Sequence, residues 1–86
     1  MFSKSYCPYC TRAKDLIQTL NLDAGKVGVI ELDNVNDGPA IQNYLLEKTG
    51  QRTVPNIFIN GKHLGGSDAL SNAQASGELS KLLASL

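Results

Sequence analysis

The chain has two cysteines, Cys7 and Cys10, near its start, with Pro8 and Tyr9 between them. Directly beyond, Ala13, Leu16, Ile17 and Leu20 recur at i, i+3, i+4 and i+7, one apolar face of a helix. The spacing predicts a helix over residues 7–20, preceded by a strand remnant, "MFSK". A strand that passes into a helix through a Cys-x-x-Cys turn places both thiols at a helix N-terminus. Three chemistries use such a pair: a structural disulfide, half of a metal site, or a redox centre.

With 86 residues, one domain spanning 1–86 is expected. A domain this small buries only about two thirds of its unfolded surface, so its margin of stability is thin. Apolar residues at 42% and charged residues at 19% give a globular rather than a disordered composition. The 8 basic and 8 acidic residues cancel, so nothing attracts nucleic acid or an anionic membrane over long range. No stretch approaches the roughly 20 apolar residues of a membrane span. Ser3, Lys4 and Ser5 follow Phe2, with none of the apolar core of a signal peptide. The expected compartment is the cytosol, or an organelle if a presequence is removed before this numbering. In a reducing cytosol a cysteine pair is catalytic or metal-binding more often than it is a staple. A Cys7–Cys10 bridge also closes a very short loop, where cross-linking stabilises least.

The remaining segments alternate, without repeats or linkers. "VGVIELD", Val27 to Asp33, reads as a strand, with Gly28 suggesting close packing against a neighbouring backbone. "NDGPAIQNYLLEKTG" reads as a helix with Asp37 as N-cap, Pro39 in the first turn and Gly50 at C′. Ile41, Tyr44, Leu45 and Lys48 are expected on one face, the Lys48 stem lying along its rim. Asn60-Gly61 between two extended runs predicts a hairpin. "SDALSNAQASG" predicts a third helix, capped by Ser67 or Asp68 and broken by Gly77. "ELSKLLASL" resumes with Leu79, Leu82, Leu83 and Leu86 at helical spacing. The order is β-α-β-α-β-β-α-α. The first two strands are then parallel with a right-handed crossover, and the last two antiparallel. The fold class is α/β, a four-stranded mixed sheet flanked by helices, the setting in which Cys-x-x-Cys reads as a redox motif.

Thiol–disulfide exchange needs a thiolate on an accessible sulfur. Cys7 precedes the helix, where free N–H groups and the positive dipole end favour an anion. Lys4 and Arg12 are near in sequence and add positive potential. Pro8 suits the first helical position, where its missing N–H is no loss. Cys7 is therefore expected to be exposed and acidified, and Cys10, about one turn further in, to be less exposed but within reach. A zinc site is the rival. Structural zinc takes four ligands, and the chain offers Cys7, Cys10 and the single histidine, His63, which reads as a strand histidine.

Two further stretches bear on a site. In "TVPN", Thr53 to Asn56, Pro55 stands at a strand entry, and in this element order a cis-proline loop packed on the cysteines is expected. Val54 would then offer backbone groups to an extended substrate; the alternative is a plain trans turn. In "GGSD", Gly65 to Asp68, two glycines and a helix N-terminus suit a carboxylate, with Asp68 facing an ammonium. Its plain alternative is a capped helix after a tight turn.

"SKSYCPYC", "GQRTVPNIFINGKHLGG" and "SD" together resemble the dithiol glutaredoxins, in order and spacing, over nearly the whole chain. The tryptophan usual in the thioredoxin active site is absent. The resemblance implies a thioredoxin-like fold with glutathione as co-substrate. It matches Cys7 to the nucleophile that takes glutathione as a mixed disulfide, and Cys10 to the resolving thiol. Lys4 and Gln51, with Arg52 as a helper, match residues that hold the glycine carboxylate of glutathione. Tyr9 matches the aromatic wall. Thr53, Val54 and Pro55 match the loop that pairs with its cysteinyl unit. Gly66, Ser67 and Asp68 match the groups that bind its γ-glutamyl end. Family members usually begin with a helix and a full first strand, so the N-terminal helix and part of that strand are expected to be missing here.

The implied activity is reduction of protein–glutathione mixed disulfides by Cys7, and of protein disulfides by Cys7 and Cys10, in a monomer. The expected partners are glutathione, glutathionylated proteins and disulfide substrates, with no nucleic acid, membrane or metal. The alternative is a carrier in which two chains share a [2Fe–2S] cluster through Cys7 and two glutathione thiolates. The rigid Pro8 disfavours that geometry, and a brown protein on anaerobic purification would support it. A bland adaptor domain with incidental cysteines is the third class.

Overall fold

The computed structural model describes residues 1–84. Strand β1 is Phe2–Ser3, helix α1 Pro8–Thr19, β2 Ile30–Glu31, α2 Gly38–Thr49, β3 Ile57–Ile59, β4 Lys62–Gly65, α3 Ser67–Ser76 and α4 Glu78–Leu83. The element order is the one read from the sequence. β1 and β2 run parallel, with Phe2 opposite Ile30 and Ser3 opposite Glu31. β3 and β4 run antiparallel. A single antiparallel bridge joins the two pairs: Phe2 N–H donates to Asn56 O at 2.8 Å and Asn56 N–H to Phe2 O at 2.9 Å. The rings of Phe2 and Phe58 meet edge to face across the same seam, 6.1 Å apart. β1 therefore lies in the middle of a mixed sheet of order β2-β1-β3-β4.

The strand expected over Val27 to Asp33 shrinks to Ile30–Glu31. β1 offers only two residues to pair with it, and Leu32–Asn34 closes into a 3₁₀ turn. Gly28 meets no close neighbour: a side chain there would find open space.

The apolar faces of α1, α3 and α4 converge on β3. Ala13, Ile57, Leu70, Ala73 and Leu79 are buried together, with Leu16, Ile17, Leu20, Ile59, Leu64 and Leu83 packed around them. Burying a leucine such as Leu70 contributes about 1.5–3 kcal/mol. The expected position Leu86 lies outside the described residues.

Helix α2 turns a different face inward from the one expected. Gly38, Gln42 and Leu45 are buried, whereas Tyr44 is exposed and the Lys48 ammonium sits 5.9 Å from its ring. Two contacts set this rotation. The Gln42 amide donates to Arg52 O at 3.1 Å, and Gly38 lies so close to Leu32 that a Cβ would collide with the Leu32 carbonyl. The helix ends at Gly50 in the left-handed region, φ 80°, whose N–H donates to Leu46 O at 2.8 Å. Asp37 occupies the N-cap without a side-chain capping bond.

Asn60 and Gly61 both have positive φ, 53° and 78°, the twist a two-residue hairpin loop requires. At α3 the N-cap is Gly66, so Ser67 is the first helical residue and neither Ser67 nor Asp68 caps it. Gly77, φ 83°, separates α3 from α4.

Candidate active site

Cys7 is the N-cap of α1, extended at φ −88° and ψ 120°, with Pro8 next in the first turn. Its backbone is pinned from both sides: its N–H donates to Lys4 O at 3.1 Å, and its carbonyl accepts from Thr11 N–H at 3.0 Å. The thiol sulfur accepts the Cys10 N–H at 3.4 Å. Partial burial pushes the Cys7 thiol up. The hydrogen bonds from Cys10 and from the Tyr9 backbone, with the Lys14 charge, outweigh it and hold the thiol below its ordinary range. Cys10 is fully buried, and burial pushes its thiol above the ordinary range. Two identical side chains thus divide into one reachable, acidified sulfur and one enclosed sulfur whose thiolate form burial disfavours.

The cation acting on Cys7 is Lys14, not the expected Lys4 and Arg12. The Arg12 guanidinium lies over the Tyr9 ring, 5.5 Å from its centre. The Lys4 charge bears on Asp33, which also accepts the Ser5 N–H at 3.0 Å and the Ser5 hydroxyl. That clamp ties the loop before Cys7 to the turn after β2.

The Val54–Pro55 peptide is cis. The Cys7 thiol lies 3.9 Å from Val54 O, and the Val54 N–H has no partner among the described residues. Side-chain amides fasten this loop. Gln51 Nε2 donates to Thr53 O at 3.0 Å and Pro55 O at 2.8 Å, Gln42 holds Arg52 O, and Asn56 Nδ2 donates to Gln51 O at 3.3 Å.

Two grooves run along the loop and share Thr53 and Val54. One is lined by Tyr9, Gln51, Pro55, Gly66, Ser67 and Asp68 as well as the shared pair. The other adds Lys4, Tyr6, Cys7, Pro8, Gln42 and Arg52. Every candidate residue from the sequence except the buried Cys10 lines one or the other. They are not all brought together: Lys4 and Arg52 share the Cys7 groove, while the Gln51 amide turns into the opposite one, toward the Pro55 carbonyl. Gly65 is required by its own backbone, φ 132°, with a Cβ there only 2.9 Å from the Ala69 side chain. Gly66 takes an ordinary φ of −97° and lies against the loop.

Sequence reasoning missed Tyr6 and Gln42. Tyr6, 71% exposed, stands beside the reachable thiol, and its signal was an aromatic residue directly before Cys7. Gln42 gave no signal, since a polar residue in a helix reads as surface. Among the described residues no group of three His, Cys, Asp or Glu side chains is placed to hold a metal ion. With Cys10 enclosed, a single chain offers a [2Fe–2S] cluster one accessible sulfur against the four ligands it needs, so the group does not fit within one chain.

The glutaredoxin family model matches residues 1–64. Glutaredoxin-1 of Rhizophagus irregularis is 55% identical over 86 residues, covering 100% of this chain and 82% of that protein. Glutaredoxin-C2 of Arabidopsis thaliana is 54% identical over 83 residues, covering 96% and 72%. Among solved structures, the buckwheat glutaredoxin–glutathione complex superposes with a TM-score of 0.91 at 49% identity, covering 98% of this chain and 74% of that one. With half its residues shared along nearly its full length, and the fold of those relatives reproduced, this chain belongs to the glutaredoxin family of thiol–disulfide oxidoreductases, with their thioredoxin-like fold.

Proposed function

We propose that the chain reduces protein–glutathione mixed disulfides with glutathione as electron donor, and protein disulfides when Cys10 takes part. The observation that carries this reading is the sulfur of Cys7, held at a helix N-cap with the Cys10 N–H donating to it. In the first step the Cys7 thiolate attacks the glutathione sulfur of the mixed disulfide. The S–S bond breaks, the substrate leaves as its thiol, and Cys7 carries glutathione. A second glutathione thiolate attacks that adduct, releasing oxidised glutathione and restoring Cys7. With a protein disulfide, Cys7 forms a mixed disulfide with the substrate and Cys10 displaces the second substrate sulfur.

The two grooves support a glutathione held across Val54. The Val54 backbone would pair with the cysteinyl unit beside Cys7. Lys4 and Arg52 would meet the glycine carboxylate in the Cys7 groove. The N–H groups at Gly66 and Ser67 would take the γ-glutamyl carboxylate, with Asp68 on its ammonium and Tyr9 as the wall. Gln51 acts by fastening the loop, since its amide nitrogen is already bonded to Thr53 and Pro55.

The test is turnover of a glutathionylated peptide by glutathione. Cys7→Ser abolishes it, while Lys4→Met and Asp68→Asn raise KM for glutathione a few-fold and leave kcat, because an exposed charge pair is worth about 0.2–1 kcal/mol. Full activity in Cys7→Ser, or a KM unmoved in both groove variants, contradicts the reading.

A further inference from the structure

Gln51 is fastened at both ends of its backbone unit and at both atoms of its amide. Its backbone N–H donates to Thr49 Oγ1 at 3.1 Å, and its carbonyl accepts from Asn56 Nδ2. The amide nitrogen gives one proton to Thr53 O and the other to Pro55 O, the carbonyls on either side of Val54. The amide oxygen is thereby turned the other way, and His63 Nε2 lies 3.2 Å from it. An amide oxygen only accepts, so His63 Nε2 carries the proton and donates. The reverse amide orientation would set its oxygen against two carbonyl oxygens. His63 itself is placed by the hairpin. It pairs with Phe58 across β3 and β4, and the two rings lie 5.2 Å apart. Phe58 in turn meets Phe2 edge to face. A row of rings on the sheet thus ends in a donor aimed at the amide that holds the Val54–Pro55 loop. The same amide nitrogen lies beneath Gly66, where a Cβ would stand 3.8 Å from it and 3.5 Å from Pro55 O.

We propose that His63 is a positioning residue of the glutathione site: through the Gln51 amide it sets the loop that presents the Val54 backbone to glutathione, and the seat of Gly66 beside it. The assignment rests on the glutathione reading above. His63 touches no reacting atom, and its effect follows from the freedom of the amide it holds. The terminal torsion of a glutamine is broad. With His63 donating to Oε1, the amide is locked with its nitrogen on the loop, and both carbonyls keep their donor. With that donor removed, the amide turns over more freely, and the Thr53 and Pro55 carbonyls share a nitrogen that is often directed away. The Val54 backbone, whose carbonyl lies 3.9 Å from the Cys7 sulfur, then loses its fixed place. Glutathione has to order the loop as it binds, which costs affinity. The attack at the Cys7 sulfur is untouched, because the cap that prepares the thiolate belongs to α1. The loss therefore falls on binding that is common to the bound and the reacting states, which raises KM and leaves kcat.

The experiment uses the full chain and turnover of a glutathionylated peptide by glutathione in wild type, His63→Leu, His63→Gln, Gln51→Met and the double variant His63→Leu with Gln51→Met. His63→Leu is expected to raise KM for glutathione about threefold with kcat kept, the scale of one hydrogen bond near the surface. His63→Gln is expected to restore KM, because its amide nitrogen stands where His63 Nε2 stood and donates in its place. In the Gln51→Met background the loss of His63 is expected to add nothing, since the group it acts through is gone. An unmoved KM in His63→Leu, a His63→Gln variant as impaired as His63→Leu, or effects that add in the double variant each overturn the proposal. If Gln51→Met fails to fold, the Gln51 side-chain amide protons, followed by NMR in the free protein, take its place. Their exchange with water is expected to be faster in His63→Leu than in wild type, and equal exchange overturns the link. A wild type that does not turn over the peptide overturns the glutathione reading and the assignment together. An active wild type with an unmoved His63→Leu overturns the positioning role alone.

Discussion

The backbone N–H of Cys10 donates to the sulfur of Cys7 at 3.4 Å. The residue that carries the enclosed thiol thus helps to stabilise negative charge on the reachable one. Helix geometry sets this relationship: an N-cap side chain accepts from the N–H groups of the first turn, and Cys10 stands three residues on. Here the cap acceptor is a sulfur, so a device that usually secures a helix end also prepares a nucleophile.

The first prediction concerns that sulfur. The Cys7 thiol is held below its ordinary range, so at a given pH a larger fraction is thiolate than in a free cysteine. Alkylation of Cys7 by iodoacetamide should rise with a midpoint below the free-thiol value of about 8.5, while the enclosed Cys10 reacts slowly throughout. A midpoint at or above that value, or equal reactivity of the two thiols, contradicts the assignment.

Close backbone approaches give the second. Gly38→Ala drives a Cβ into the Leu32 carbonyl, and Gly65→Ala places one 2.9 Å from the Ala69 side chain at φ 132°. Each should destabilise the chain by about 1–3 kcal/mol in urea unfolding, through overpacking and a backbone region that side chains avoid. Losses under about 0.5 kcal/mol, the range of ordinary surface substitutions, would contradict the packing described.

Gln42 gives the third. Replacing it with leucine leaves the Arg52 carbonyl without its donor and loosens the loop that carries Val54. The cost is expected at about 0.5–1.5 kcal/mol of stability, that of one part-buried hydrogen bond. KM for glutathione should rise with it. Unchanged stability and KM would remove Gln42 from the loop's support.

Asp33 makes the fourth. The Ser5 hydroxyl, the Ser5 N–H and the Lys4 charge hold its carboxyl below the usual aspartate range. A carboxyl with a folded pKa below its unfolded one contributes stability above the unfolded value, about 3.9, and loses it as the pH falls through the folded value. Unfolding free energy measured from pH 6 downward should therefore fall less steeply in Asp33→Asn than in wild type over that acid range. Parallel curves would contradict the clamp.

What could be read in advance was local. The Cys-x-x-Cys turn, the left-handed Gly50 and Gly77 and the Asn60-Gly61 hairpin each depend on residues adjacent in the chain, and the chain alone reveals them. What failed was set by partners far away in sequence. The Val27–Asp33 strand was curtailed because β1 supplies only Phe2 and Ser3 to pair with it. The α2 face was rotated because Gln42 turns inward to a carbonyl ten residues on, and no hydropathy pattern marks a polar side chain as buried. Ser67 and Asp68 lost the cap to Gly66 because the loop carrying the α3 N-terminus approaches Pro55. The candidate residues were legible as a set, through their motifs. Their partition into two grooves was not, since the direction of the Gln51 amide depends on the carbonyls of a folded loop. The Ser3–Glu31 contact needed the parallel register, which pairs residues 28 apart.

The unequal roles of the two thiols are tested most directly by one comparison. Cys10→Ser and wild type are assayed side by side with glutathione, first on a glutathionylated peptide and then on a protein disulfide. The account predicts that the variant keeps its turnover of the peptide and loses turnover of the disulfide. A variant inactive on both, beside an active wild type, would mean that Cys7 does not work alone with glutathione.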